Sequence, residues 1–80
     1  MTYVYENMAK VITDNVGGKD NILNAEICAT RIRFSLKDLE LVNDTNLKDA
    51  GCLGVLRYGK FGVQVIVGKF AQNIFSEIVN

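Results

Sequence analysis

The sequence predicts an α+β fold: a four-stranded antiparallel sheet made of two hairpins, with three helices on one face, in the order α-β-β-α-β-β-α. Three observations lead there. Apolar residues recur at helical spacing at both ends of the chain. Between those ends they alternate with polar residues in short paired stretches, the period of a half-buried strand. Glycines fall at the joints, at Gly17-Gly18, Gly51, Gly54, Gly59, Gly62 and Gly68.

The first element spans about Tyr3 to Val16. Met8, Val11, Ile12, Asn15 and Val16 lie at i, i+3, i+4, i+7 and i+8, one helical stripe with a single polar interruption. Gly17-Gly18 supplies the left-handed residue on which a helix ends. The period then changes to two. Leu23, Ala25 and Ile27 are the core-facing positions of one strand, and Ile32, Phe34 and Leu36 those of the next. About two residues separate the strands, which predicts a hairpin. Lys37 to Thr45 reads as a loop. Asp44 or Thr45 caps a short helix, Asn46 to Ala50, which Gly51 ends. Cys52 to Arg57 and Phe61 to Val67 flank a Tyr58-Gly59-Lys60 turn as a second hairpin. Val63, Val65 and Val67 share one face of it; Gln64 and Ile66 share the other. Lys69 to Asn80 closes the chain as a helix with Phe70, Ala71, Ile74, Phe75, Ile78 and Val79 as its stripe.

Composition narrows the function. Eighty residues make one domain, 1–80. Hydrophobic residues at 49% suffice for a core and exclude a disordered tail. Nine basic residues against nine acidic leave no net charge, which argues against binding a nucleic-acid backbone. There is no histidine, so no Ser-His-Asp or Cys-His machinery is contained in this chain. Two cysteines make no disulfide framework and point to a reducing compartment. The longest unbroken apolar run, Val65 to Val67, is far short of the roughly 18 residues of a membrane span. The first residues lack the basic and apolar regions of a signal peptide. The aspartates are scattered without metal-site spacing. The aromatic residues do not gather on the wet face, which weakens any base-stacking role.

The alternation also sorts the chemistry. Cys28 shares parity with Asn24 and Glu26, opposite the core positions. Arg31 and Arg33 likewise oppose Ile32, Phe34 and Leu36. The thiol and both guanidiniums therefore belong to the wet side near the hairpin tip. Cations beside a thiol favour the thiolate, the nucleophilic form, and arginines grip phosphoryl oxygens by paired hydrogen bonds. Together they make a local apparatus for accepting a phosphoryl group without a histidine base. From pattern alone a second reading stands beside it, in which Cys28 is a small packing residue and the arginines a solvated face. Gln64 falls on the arginine side, either ordering the site or simply facing water. On proximity alone, Thr30 and the backbone N–H groups of the hairpin tip are expected to cradle phosphate oxygens. Cys52 follows a helix-ending glycine, has no nearby arginine before Arg57, and reads as a packing residue.

The stretch Cys28-Ala29-Thr30-Arg31-Ile32-Arg33-Phe34 resembles the C-x-T-R-[LI]-R signature of the enzyme IIB domains of the bacterial phosphoenolpyruvate-dependent sugar phosphotransferase system, of the glucose/sucrose/N-acetylglucosamine type. Val16-Gly17-Gly18, Asn21-Ile22, Leu36-Lys37-Asp38, Gly51-Cys52-Leu53-Gly54-Val55 and Val63-Gln64-Val65-Ile66-Val67-Gly68 are similar to the landmarks around it. The resemblance covers roughly residues 5 to 79. It implies that Cys28 receives a phosphoryl group from a phosphohistidine of a IIA protein or domain and passes it to a sugar held by a membrane-embedded IIC domain. It implies that Arg31 and Arg33 serve the onward transfer to sugar. It implies a four-stranded antiparallel sheet with three helices on one face, no metal or organic cofactor, and a place at the cytoplasmic face of the cell membrane when joined to IIC. Such domains are usually fused to IIC, and sometimes to IIA, so the chain is expected to be a separate subunit or a domain of a larger protein. The alternative within the same fold is a regulatory domain that signals through phospho-Cys28 without phosphorylating sugar. An RNA-binding sheet face is a further alternative, opposed by the absent net charge.

Overall fold

In the computed structural model, which describes residues 2–79, the first apolar stripe forms α1 (Thr2–Asn15). Ala9 and Ile12 are buried on it, as is Val16 just past its end. Gly17 (φ 106°) and Gly18 (φ 88°) end it, and the Gly18 N–H donates to the Thr13 carbonyl at 2.9 Å. A short 3₁₀ turn (Lys19–Asn21) then leads into β1 (Ile22–Cys28). Asn21 is the buried polar residue of this joint. Its Nδ2 donates to the carbonyls of Val16 (2.8 Å) and Asp38 (3.0 Å), and its Oδ1 accepts from the Asp38 N–H (3.0 Å). One side chain thus ties the end of α1 to the segment around Asp38.

β2 (Arg31–Leu36) is followed by a 3₁₀ turn (Leu39–Leu41) inside the expected loop, then α2 (Asp44–Asp49). The second hairpin is β3 (Gly54–Tyr58) and β4 (Gly62–Ile66), and α3 (Ala71–Ile78) follows. All strand pairings are antiparallel, in the spatial order β1-β2-β4-β3. The expected element order and fold class therefore hold.

Ile32, Phe34 and Leu36 of β2 and Val63 and Val65 of β4 are fully buried on one sheet face. They meet Ile12 and Val16 from the first helical segment, Leu47 of α2 and Ile74 of α3. Each such aliphatic or aromatic side chain contributes about 1.5–3 kcal/mol by leaving water. Among the described residues the other face carries no helix, so residues of opposite parity stay open to approach.

Several boundaries differ from expectation. Leu23 was expected in the core but is 60% exposed. Register shifts between Ile22 and Asn24, which pair with the adjacent residues Leu36 and Ser35, so Leu23 is the extra residue of a β-bulge. Ile22 takes the inward position instead. α2 begins at Asp44, and Asn43 rather than Asp44 or Thr45 is its cap, accepting from the Asn46 N–H at 2.9 Å. α3 is shorter than its stripe: Phe70 and Val79 are 45% and 57% exposed, and Asn80 lies outside the described residues. Tyr58 belongs to β3, with the turn moved to Gly59–Phe61. No helix among the described residues is long and apolar enough to cross a membrane.

Candidate phosphoryl-transfer site

The open sheet face is organised in rows set by strand register. Cys28 on β1 faces Arg31 on β2, which faces Ile66 on β4, which faces Gly54 on β3. The next row is Glu26, Arg33, Gln64 and Leu56. The third is Asn24, Ser35, Gly62 and Tyr58. Cys28 is a free, exposed cysteine, and both arginines are half-buried. Period-two geometry puts the thiol and the guanidiniums on this face because the β1–β2 hairpin keeps both strands in phase through its turn.

That turn consists of Ala29 and Thr30, with Ala29 at φ 52°. A left-handed alanine costs of order 1 kcal/mol, and strained residues of this kind gather at functional sites. The turn is pinned from outside. The Thr30 carbonyl accepts from the N–H groups of Val67 (3.0 Å) and Gly68 (2.9 Å) just past β4. Those two donors are therefore already occupied. The Thr30 side chain is exposed and makes no hydrogen bond among the described residues.

The two arginines are held by different neighbours. Arg31 Nη1 donates to Gln64 Oε1 at 2.8 Å. The link joins the first hairpin to the second across 33 residues of sequence. The Arg33 guanidinium carbon stands 5.2 Å from the centre of the Tyr58 ring. Both partners are neutral, so neither cancels the positive charge beside Cys28. Cys52 lies elsewhere, buried in the core, and burial pushes its thiol above the ordinary value.

The structure thus brings Cys28, Arg31, Arg33 and Gln64 onto one surface, with Thr30 at its tip. Tyr58 is the member that sequence reasoning missed, because the turn was drawn one residue early. Extending the Gly54–Leu56 alternation by two would have placed it on the open face. A groove of about 820 Å³ between α1, α3 and β1 contains none of these residues. The candidate site lies instead on the sheet face opposite the buried core.

Comparison with known proteins agrees. The family model described as "phosphotransferase system, EIIB" matches residues 10–43, which include Cys28, Arg31 and Arg33. The alpha-glucoside-specific EIICB component of Fusobacterium mortiferum is 48% identical over 66 residues, covering 81% of this chain and 12% of that protein. The maltose-specific EIICB component of Escherichia coli (strain K12) is 39% identical over 67 residues, 84% of this chain and 13% of that protein. The glucose-specific EIIBCA component of Corynebacterium glutamicum is 41% identical over 69 residues, 85% of this chain and 10% of that protein. The chain therefore spans only a small part of these relatives' length. Among solved structures, one domain of the PTS system IIabc component from Clostridium difficile superposes with a TM-score of 0.87 at 27% identity, covering 99% of this chain and 83% of that one. With this fold and these relatives, the chain belongs to the EIIB family of the phosphotransferase system, as an EIIB domain of the glucose type.

Proposed function

We propose that this domain is a phosphocysteine carrier, with Cys28 the residue phosphorylated. The observation that supports it most is the register pair Cys28–Arg31 on the open face, with Arg33 one row away. In the first step the Cys28 sulfur, as thiolate, attacks the phosphorus of a phosphohistidine on a IIA partner. The S–P bond forms as the P–N bond breaks, and the imidazole leaves with the electron pair. In the second step a sugar hydroxyl oxygen attacks the phosphorus, the S–P bond breaks, and the thiolate is regenerated while the hydroxyl proton is released.

Arg31 and Arg33 offset the charge on the group in flight, and Gln64 keeps Arg31 aimed toward it. Thr30 and the Ala29 and Thr30 N–H groups, in the turn beside Cys28, supply neutral donors for the phosphoryl oxygens. No metal or organic cofactor enters the scheme. The relatives join the B component to C, or to C and A, in one chain. That organisation supports a IIA donor and a membrane IIC partner that holds the sugar. It also supports a cytoplasmic position at the membrane face for residues 1–80 as one IIB unit.

The test is mass spectrometry of the intact chain and its peptides after incubation with phosphoenolpyruvate, enzyme I, HPr and a panel of glucose-type IIA donors. One phosphoryl group on the Cys28 peptide, absent in Cys28→Ser, is the expected result. No modification by any active donor would refute the carrier role. Arg31→Lys and Arg33→Lys are expected to keep the fold and impair transfer to sugar when IIC is supplied.

A further inference from the structure

Arg33 is held by Tyr58, a residue outside the C-x-T-R-[LI]-R signature. We propose that Tyr58 is a positioning residue for Arg33, fixing its guanidinium beside Cys28 without neutralising it. The proposal deepens the phosphocarrier reading above and rests on it.

Arg33 has an unusual environment. Glu26 stands opposite it on β1, yet the two make no ion pair. Among the described residues its side chain makes no hydrogen bond, and its Nε is buried without a partner. An unpartnered buried N–H is costly, so another contact must hold the group in place. The Tyr58 ring supplies one. At 5.2 Å the guanidinium carbon lies within the roughly 6 Å range of a cation–π contact.

The ring has a prepared seat. Tyr58 pairs with Gly62 across β3–β4, and Gly62 pairs with Ser35 across β4–β2. A Cβ at position 62 would come within 2.5 Å of the ring's Cζ. The missing side chain lets the ring lie across β4 and reach from the edge strand toward β2.

The chemistry explains why a ring suits this position. A carboxylate would also anchor Arg33, but it would cancel the charge that a phosphoryl group needs. A π-face orients the cation and leaves its outer N–H groups available to phosphoryl oxygens. Gln64 serves Arg31 in the same way, anchoring a guanidinium through a neutral oxygen.

The test compares Tyr58→Leu and Tyr58→Phe with the unchanged chain. One readout is the rate of phosphoryl transfer from phospho-Cys28 to sugar when IIC is supplied, the step that Arg33 serves. The other is the NMR shift of the Arg33 Nε–H, which the ring current of an overlying aromatic displaces. Tyr58→Leu is expected to slow transfer about three- to tenfold, the scale of one lost cation–π contact. It is also expected to remove the ring-current displacement, whereas Tyr58→Phe retains both rate and shift. Unchanged transfer in a folded Tyr58→Leu chain would overturn the proposal, as would equal loss in Tyr58→Phe. If Tyr58→Leu fails to fold, Tyr58→Met takes its place under the same criteria. If the unchanged chain accepts no phosphoryl group, the carrier reading fails; the Arg33 shift then separately decides whether Tyr58 orients that side chain.

Discussion

Cys28 and Arg31 face each other across the first hairpin, separated in sequence only by Ala29 and Thr30. The pairing makes the tightest of turns place a thiol beside a cation. Thr30 then locks the turn through its carbonyl to the end of β4. The surface that results is open, and its two arginines are held by neutral partners, with Glu26 on the same face.

The two cysteines should separate cleanly by reactivity. Cys28 is exposed and Cys52 is buried. A thiol-specific reagent is expected to label one cysteine in the native chain, Cys28, and a second only on denaturation. Burial raises the Cys52 thiol's pKa, which slows its reaction further at neutral pH. Peptide mapping after labelling checks the assignment, and rapid native labelling of Cys52 would contradict the core placement.

Gln64 and Arg31 should behave as a coupled pair. Gln64→Leu removes the acceptor 2.8 Å from Nη1 and frees the guanidinium to wander. Transfer through Cys28 is expected to fall, and Arg31→Lys in the same chain to add little. The double-mutant cycle should show a coupling of about 0.5–3 kcal/mol, as for residues in direct contact. Strict additivity would mean that the hydrogen bond plays no part in transfer.

A pH effect on stability is expected from Asp44 and Arg57. Arg57 donates from Nη1 and Nη2 to the two Asp44 oxygens at 2.9 and 2.7 Å, joining β3 to α2. The side-chain hydrogen bond from Arg57 is the main reason that the Asp44 carboxyl sits below its ordinary value of 3.8. A depressed native pKa stabilises the fold above the unfolded value, and that contribution is lost as pH falls through the native one. The pair is partly exposed, so its worth is at most about 1 kcal/mol. Denaturant titrations should show Asp44→Asn less stable than the unchanged chain at pH 7. The gap should close as the pH drops below about 4.

The Gly17–Asn21 joint should be the fold's most sensitive loop. Gly17 has φ 106°, and a Cβ there would strike the Asn21 amide and the Leu41 Cβ. Gly17→Ala is expected to cost about 2 kcal/mol or more, combining backbone strain with a displaced hydrogen-bond network. Leu23→Ser, by contrast, should cost no more than about 0.5 kcal/mol, because the bulge leaves Leu23 in water. Thermal or denaturant unfolding distinguishes the two, and a large loss for Leu23→Ser would contradict the bulge.

Much of the site was legible from local periods. Alternation alone put Cys28, Arg31 and Arg33 on one face, since the side-chain direction of a strand repeats every two residues. The same rule misplaced Leu23, because a single bulged residue reverses parity and leaves no mark in an apolar run. It missed Tyr58 because a hairpin turn containing glycine can be drawn one residue either way.

By itself the sequence determined the kinds of element, their order, and the company that Cys28 keeps along its own hairpin. Helical and strand periods are set by neighbours a few residues apart, so they survive without knowledge of the fold. Only the tertiary structure decided that β4, not β3, lies against β2. That choice joins two hairpins through partners far apart in sequence and buries Val63 and Val65 beside Ile32 and Phe34. It sets Gln64 against Arg31 and carries Tyr58 over Gly62 to Arg33. Nothing in either hairpin's own period specifies which edges meet; the shared apolar face under the helices does.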